Sequence, residues 1–296
     1  MMLSAIKSSS KNVSAILRLT LTFLLLTNPL LSNAASPTIK DTVETKPMVK
    51  QSNLHADWQT LLSQHVKKIN NGHSTEVDYA AIQQQQALLQ KYLAQLGQVS
   101  RSEFDTWPNN KQLAFLINAY NAWTIEFILT EYPALASIKD LGSFFNSPWD
   151  KEFIPLLDKT LSLNDIEHGL IRGSGRYNDP RIHFAVNCAS IGCPALREEA
   201  YTEAQLEQQL TEQTERFLTD TSRNKIKADT LYLSSIFKWY GDDFEEGFRG
   251  TQSIEAFLLL YSEALMLSDA QVSALKNEDL NIKFLDYNWM LNSVNE

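Results

Sequence analysis

The chain has 296 residues, 44% of them hydrophobic and 10% aromatic, enough apolar side chains for one large core or two small ones. Its 26 basic and 35 acidic residues leave a formal charge of −9. That balance argues against nucleic acid, which needs clustered Lys and Arg, and against docking on anionic lipid.

Residues 1–34 read as a secretory signal peptide. Lys7, Lys11 and Arg18 form a basic stretch without an acidic residue. The run LTLTFLLLTNPLL follows, too short and too broken by Pro29 to span a bilayer, which needs about 20 apolar residues. Ser32 and Ala34 are small residues at the spacing of a signal-peptidase site. The competing reading is a single membrane anchor. No membrane anchor is expected once the leader is gone, and the location read from this plan is periplasmic or secreted. Removing the leader's three basic residues from the 26 leaves 23 against 35 acidic ones, a formal charge of −12. Residues 35–54 are polar with two prolines and no aromatic residue, and read as a flexible tether.

From residue 55 to 296 apolar residues recur without a linker-like break, so one domain is expected. DWQTLLSQHVKKINNG places Trp58, Leu62, His65 and Ile69 on one helical stripe, with Asp57 as cap and Gly72 as stop. AIQQQQALLQKYLAQL reads as a second helix. NNKQLAFLINAYNAWTIEFILTEYP is apolar nearly all round and stops at Pro133, the pattern of a central buried helix. FIPLLDKTLSL reads as two short strands about Asp158 and Lys159. LNDIEHGLIRG reads as a helix with Asn164 and Glu167 as a capping box. RIHFAVNC, after the turn NDP, reads as a strand. YTEAQLEQQLTEQTERFL and SIEAFLLLYSEAL, the latter capped by Ser253, read as helices. DTLYLSS and the terminal NIKFLDYNW are the remaining strand candidates. The class is α+β: a helix-rich single domain around a small, mainly antiparallel sheet.

Both cysteines lie in HFAVNCASIGCPAL, residues 183–196. On a strand over 181–188, Phe184, Val186 and Cys188 share the inward face and His183, Ala185 and Asn187 the other, so His183 is not an obvious base for Cys188. Pro194 favours a helix start, which would put Cys193 at a helix N-terminus, where a thiolate is favoured. Four residues separate the cysteines, which is not the C-x-x-C redox spacing. There is no second cysteine pair and no H-E-x-x-H, so no metal site is expected and no cofactor is called for. Two close cysteines in an oxidising compartment read first as a disulfide, Cys188 to Cys193. A packed or nucleophilic thiol at Cys188 stays open.

Asn118 and Asn121 are neighbours on one face of the apolar helix, and buried amides there must find hydrogen-bond partners. They either tie the helix to nearby backbone or line a cleft. Glu167, His168 and Arg172 fall within two turns, with Glu167 assigned to the cap. In SSIFKWYGDDF, Ser234 or Ser235 can cap a short helix. Its aromatic residues Phe237, Trp239 and Tyr240 read as core, and Asp242 and Asp243 as solvated or capping.

The blocks FLINAYNAWTI, LSLNDIEHGLIR, DPRIHFAVNCASIGCPALREEAY, LYLSSIFKWYGDDF and FLDYNWMLN, in this order, resemble the family called domain of unknown function 547, over roughly Trp107 to Asn292. The resemblance implies an α+β domain, found in secreted bacterial proteins and in plant cytoplasmic ones, with no established reaction. It also implies that plant members keep a cysteine at the position of Cys188 but can replace the one at Cys193. A role for Cys188 other than bonding would follow.

Two functions fit these features. One is a non-catalytic binding or scaffold domain for a small-molecule, peptide or protein partner, with the cysteines bridged. The other is a cysteine-dependent hydrolase or acyl transferase of papain or transglutaminase style acting on peptide-like substrates, with Cys188, His183 and Asn118 as catalytic candidates. Asn121, Asn187, His168 and Arg181 are the binding candidates in either case. N-terminal sequencing of the exported protein is expected to find a mature chain starting at or next to Ala35; a chain still beginning at Met1 would overturn the export reading.

Overall fold

The computed structural model describes residues 54–143 and 146–294. The stretches read as a signal peptide and a tether lie, up to residue 53, outside the described residues.

Helix α1 (Ala56–His65) buries Trp58, Leu61, Leu62 and His65. It ends earlier than its hydrophobic stripe predicted, and His55, not Asp57, sits at its N-cap. Strand β1 (Val66–Ile69) follows and pairs antiparallel with β2 (Ser74–Val77). The reversal runs through Asn70, Asn71 and Gly72, all with positive φ (52°, 55° and 91°), which Asn and Gly tolerate best. The predicted second helix is two, α2 (Tyr79–Gln84) and α3 (Gln86–Gly97), broken at Gln85. A single turn, α4 (Arg101–Phe104), leads to α5 (Asn109–Leu129).

Helix α5 is the axis of the core. Seventeen of its 21 residues are buried, which matches an element that is apolar on every side. Leu113, Phe115, Leu116, Ile117, Ile125 and Ile128 join the main cluster with Trp58, Leu89, Leu96 and Leu163. The β3 (Ile154–Leu156) and β4 (Lys159–Leu161) hairpin expected from the sequence is present, turning at Leu157 and Asp158, one residue earlier than the expected Asp158 and Lys159. After it come a π-helical turn, Asp165–Ile171, and a 3-10 turn, Pro180–Phe184. Helix α6 (Leu206–Thr219) then packs against that 3-10 turn.

Strands β5 (Lys225–Lys227) and β6 (Thr230–Leu233) pair antiparallel. The short helices α7 (Ser235–Trp239), α8 (Gly241–Glu245), α9 (Ile254–Leu259) and α10 (Asp269–Lys276) follow, and β7 (Asn281–Phe284) closes the sheet parallel to β6. Ser234 caps α7 and Ser253 caps α9. The helix-rich α+β class is therefore seen, with the strands divided among three small sheets. A second, aromatic cluster sits here: Phe184, Phe217, Phe237, Phe244 and Phe257. Phe184 stacks on Phe217 at 4.8 Å and so anchors the 3-10 turn from within.

The stretch read as the strand RIHFAVNC is no strand. Asp179 accepts from Arg181 N at 3.0 Å, Pro180 takes the first position, and Ala185 N and Val186 N both bond Ile182 O at 3.0 Å. The backbone groups a strand would offer a neighbour are already bonded locally or to side chains. CPALREEA is likewise no helix. The carbonyls of Pro194, Ala195 and Leu196 accept from Asn187, Gln213 and Thr75, so Cys193 stands at no helix N-terminus. Replacing Leu116, 1% exposed within α5, by Ala should lower unfolding free energy by about 2–5 kcal/mol through the cavity it leaves. Coincident urea midpoints for variant and wild type would show that α5 is not central.

Candidate functional site

Two asparagines of α5 hold the segments around the site. Asn121 Nδ2 donates to Ala185 O at 3.0 Å, and its Oδ1 accepts from Asn187 N at 2.8 Å. The amide thus clips the loop that leads into the cysteines, as a strand neighbour would. Asn187 continues the chain of bonds, donating to Pro194 O and accepting from Ala189 N at 2.9 Å. Asn118 does the same one turn away with Tyr201, whose carbonyl and N–H it binds at 2.8 and 2.9 Å. Neither α5 amide lines the cleft described below.

The C-terminal segment closes the loop from the other side. Ile191 N bonds Met290 O and Gly192 N bonds Asn288 O, each at 2.8 Å, and Asn292 N bonds Ala189 O at 3.1 Å. A Cβ on Gly192 would lie 2.9 Å from the Tyr287 ring, so only glycine allows this approach. Cys188 and Cys193 are joined in a disulfide, with Cα atoms 6.2 Å apart. Cys193 is 2% exposed; its sulfur accepts from Cys188 N at 3.0 Å and from the Tyr287 hydroxyl at 3.2 Å. Cys188 is half-buried.

The disulfide forms one wall of a cleft of about 250 Å³. Its other walls come from far apart in the sequence: Tyr120 from α5, Trp149, the π-helical turn, His183, the end of α7, and Tyr287 with Trp289 from the C-terminal segment. The rings pack on one another. Trp239 stacks on Trp289 at 5.7 Å, Tyr287 meets Trp289 at 4.5 Å, and Trp149 meets Trp289 edge-on at 5.6 Å.

Glu167 lies in this cleft and is 5% exposed. The capping box expected of it is absent. Asp165 takes that part instead, accepting from Ser162 N and Oγ at 2.8 Å. The widened π-helical winding, rare and often found at functional sites, carries Glu167 and His168 into the cleft. Tyr120 and Tyr240 line the cleft together with Glu167. Burial, then the carboxylate's charge, pushes both phenols well up and keeps them donors.

His183 is buried, stacked on Tyr240 at 4.0 Å, and bonded through Nε2 to Asp243 Oδ2 at 2.6 Å. Asp243 was read as solvated or capping. Instead, Arg172 grips it with two bonds of 2.6 and 2.7 Å and donates to His168 Nδ1 at 2.8 Å. Burial works to raise the Asp243 pKa, but Arg172 and His183 outweigh it and hold the carboxyl well below the usual range. Burial pulls His183 down from 6.5 more strongly than Asp243 raises it. The imidazole is therefore neutral and donates Nε2–H to an ionised Asp243 whose charge Arg172 balances.

The structure brings His168, His183, Cys188 and Cys193 to the cleft, and leaves Asn118, Asn121, Asn187 and Arg181 out of its lining. Arg181 is buried elsewhere, between Asp179 at 2.7 Å and Glu207 at 2.6 Å. Sequence reasoning missed Glu167, Asp243 and the aromatic rim as site residues; an Asp-Asp pair after a Trp-Tyr-Gly turn was the only visible signal for Asp243. No group of His, Cys, Asp and Glu able to hold a metal ion occurs among the described residues. No described helix is long and apolar enough to cross a membrane.

This is a helix-rich α+β fold with a disulfide-walled aromatic cleft. Residues 104–218 match the model of a family described as protein of unknown function, DUF547. The matched part carries the asparagine clips, Glu167, His183 and both cysteines, while Trp239, Tyr240, Asp243, Tyr287 and Trp289 lie beyond it. No curated protein and no solved structure matches the chain.

His183 makes stability depend on pH. Its folded value lies below the unfolded 6.5, so the unfolded chain takes a proton the folded one refuses. The stability tied to the neutral ring is complete above about pH 6.5 and is lost as pH falls through the lower folded value. His183→Gln should therefore show a shallower drop in urea midpoint from pH 7 to 5 than wild type. His55 and His65, also pushed down by burial, keep the remainder. Parallel declines would place that titration in other groups.

Proposed function

We propose that this protein is an exported member of the DUF547 family that acts as a non-catalytic binding domain in the periplasm or outside the cell. Its partner is a small molecule or a peptide, received in the cleft between the disulfide and the aromatic rim. The observation that carries this reading is the cleft itself. Concave, mostly apolar lining with a few convergent polar groups is the usual form of a ligand site.

Two further features support binding over catalysis. A thiol must be free and ionised to attack, and here Cys188 is bonded to Cys193 with the Tyr287 hydroxyl as its sulfur's hydrogen-bond partner. His183, the candidate base, is covered by Tyr240, and among the described residues no hydrogen bond joins it to either cysteine sulfur. Export is supported by the leader-like N-terminus, and an oxidising compartment keeps such a pair bonded.

The test is a mass measurement on the exported protein treated with iodoacetamide at neutral pH. Without reductant no adduct is expected; after reduction, two. An adduct on Cys188 without reduction would overturn the non-catalytic reading and point to a thiol-dependent enzyme.

A further inference from the structure

We infer that the group this cleft recognises is a compact organic cation of the ammonium type, held by Glu167 beneath a ring of aromatic faces. The inference rests on the reading of the cleft as a binding site and names the chemistry of its ligand.

Among the described residues that line the cleft, Glu167 is the one carboxylate, and no Lys or Arg lines it. Arg172 and Asp243 form a bidentate pair and cancel. His183 is neutral for the reason given above. Among the described residues no Lys, Arg or His nitrogen forms an ion pair with Glu167, although it is nearly inaccessible. Buried charges are costly unless paired, and the tyrosines that line the cleft with Glu167, Tyr120 and Tyr240, are phenols that bring no charge. A ligand cation would supply the missing partner. An anionic ligand would meet the same carboxylate as repulsion.

The walls suit the same ligand. Tyr120, Trp149, Trp239, Tyr240, Tyr287 and Trp289 present ring faces, whose negative quadrupole attracts cations and above all alkylated ammonium groups. The rings already take cations from within the protein. Lys139 Nζ sits 3.8 Å from the Trp289 ring centre, and the Arg172 guanidinium 4.9 Å from that of Tyr240. A primary amine can also donate to Glu167 or Asn164; a quaternary one relies on the rings and the carboxylate alone.

Three of the six tryptophans of the chain, Trp149, Trp239 and Trp289, line the cleft, so intrinsic fluorescence reports its occupancy directly. The probes are choline and its neutral carbon isostere, 3,3-dimethylbutan-1-ol, titrated into the exported, disulfide-bonded protein. Choline is expected to bind at least about tenfold tighter than the alcohol. Glu167→Gln should bring choline to the level of the alcohol. Near-UV circular dichroism checks that the variant keeps its packing, and Trp239→Ala, on the rim and 46% exposed, provides a second variant that should weaken choline. Equal binding of choline and alcohol would overturn the cation and leave the binding-site reading intact. Full choline affinity in Glu167→Gln would do the same. Absence of choline binding overturns the cation as well. A free Cys188 thiol in the mass measurement strikes instead at the reading beneath it.

Discussion

The amide of Asn121 is the contact on which the site depends. It is buried on a mostly apolar helix, and it satisfies a carbonyl and an N–H of the loop at Ala185 and Asn187. A buried amide left without partners would cost more than the bonds it makes contribute, so helix and loop must meet in one register. That register sets where Cys188 lies, and Asn187 carries it on to Pro194. Leucine at position 121 would pack as well against the core but would say nothing about which loop belongs there.

With the loop in place, the surroundings of the cleft follow from two kinds of closure. The C-terminal segment bonds the loop backbone from Ala189 to Gly192, and only a residue without Cβ at 192 allows Tyr287 to approach the sulfurs. The 3-10 turn is held from the opposite side by Phe184 in the aromatic cluster, which turns His183 toward Tyr240 and Asp243. The polar groups then sort by charge. Arg172 and Asp243 neutralise each other, His183 remains uncharged, and Glu167 lines the cleft without an ion-pair partner among the described residues.

Much of the fold was legible in the sequence because its signals are local. The apolar α5, the hairpin about Leu157 and Asp158, and the serine caps at Ser234 and Ser253 each depend on a few neighbouring residues. The errors share one cause. RIHFAVNC has the composition of a strand, yet its backbone is bonded by its own 3-10 turn and by Asn121. CPALREEA has the opening of a helix, yet its carbonyls are claimed by Asn187, Gln213 and Thr75. In both cases side chains from elsewhere compete for the backbone groups that local propensity would assign to strand or helix.

The sequence by itself determined a helix-rich α+β domain with an acidic surface, an apolar central helix carrying two amides that had to be satisfied, and two cysteines close enough to bond. Periodicity, capping and burial of polar groups act over a few residues, so they can be read along the chain. Only the tertiary structure decided that Glu167 faces a cleft instead of capping a turn, that Asp243 partners His183 and Arg172 from 60 and 71 residues away, and that Tyr287 and Trp289 close the rim. A cleft is made where segments distant in sequence meet, and the electrostatics of its residues depend on burial and on neighbours that no local pattern specifies.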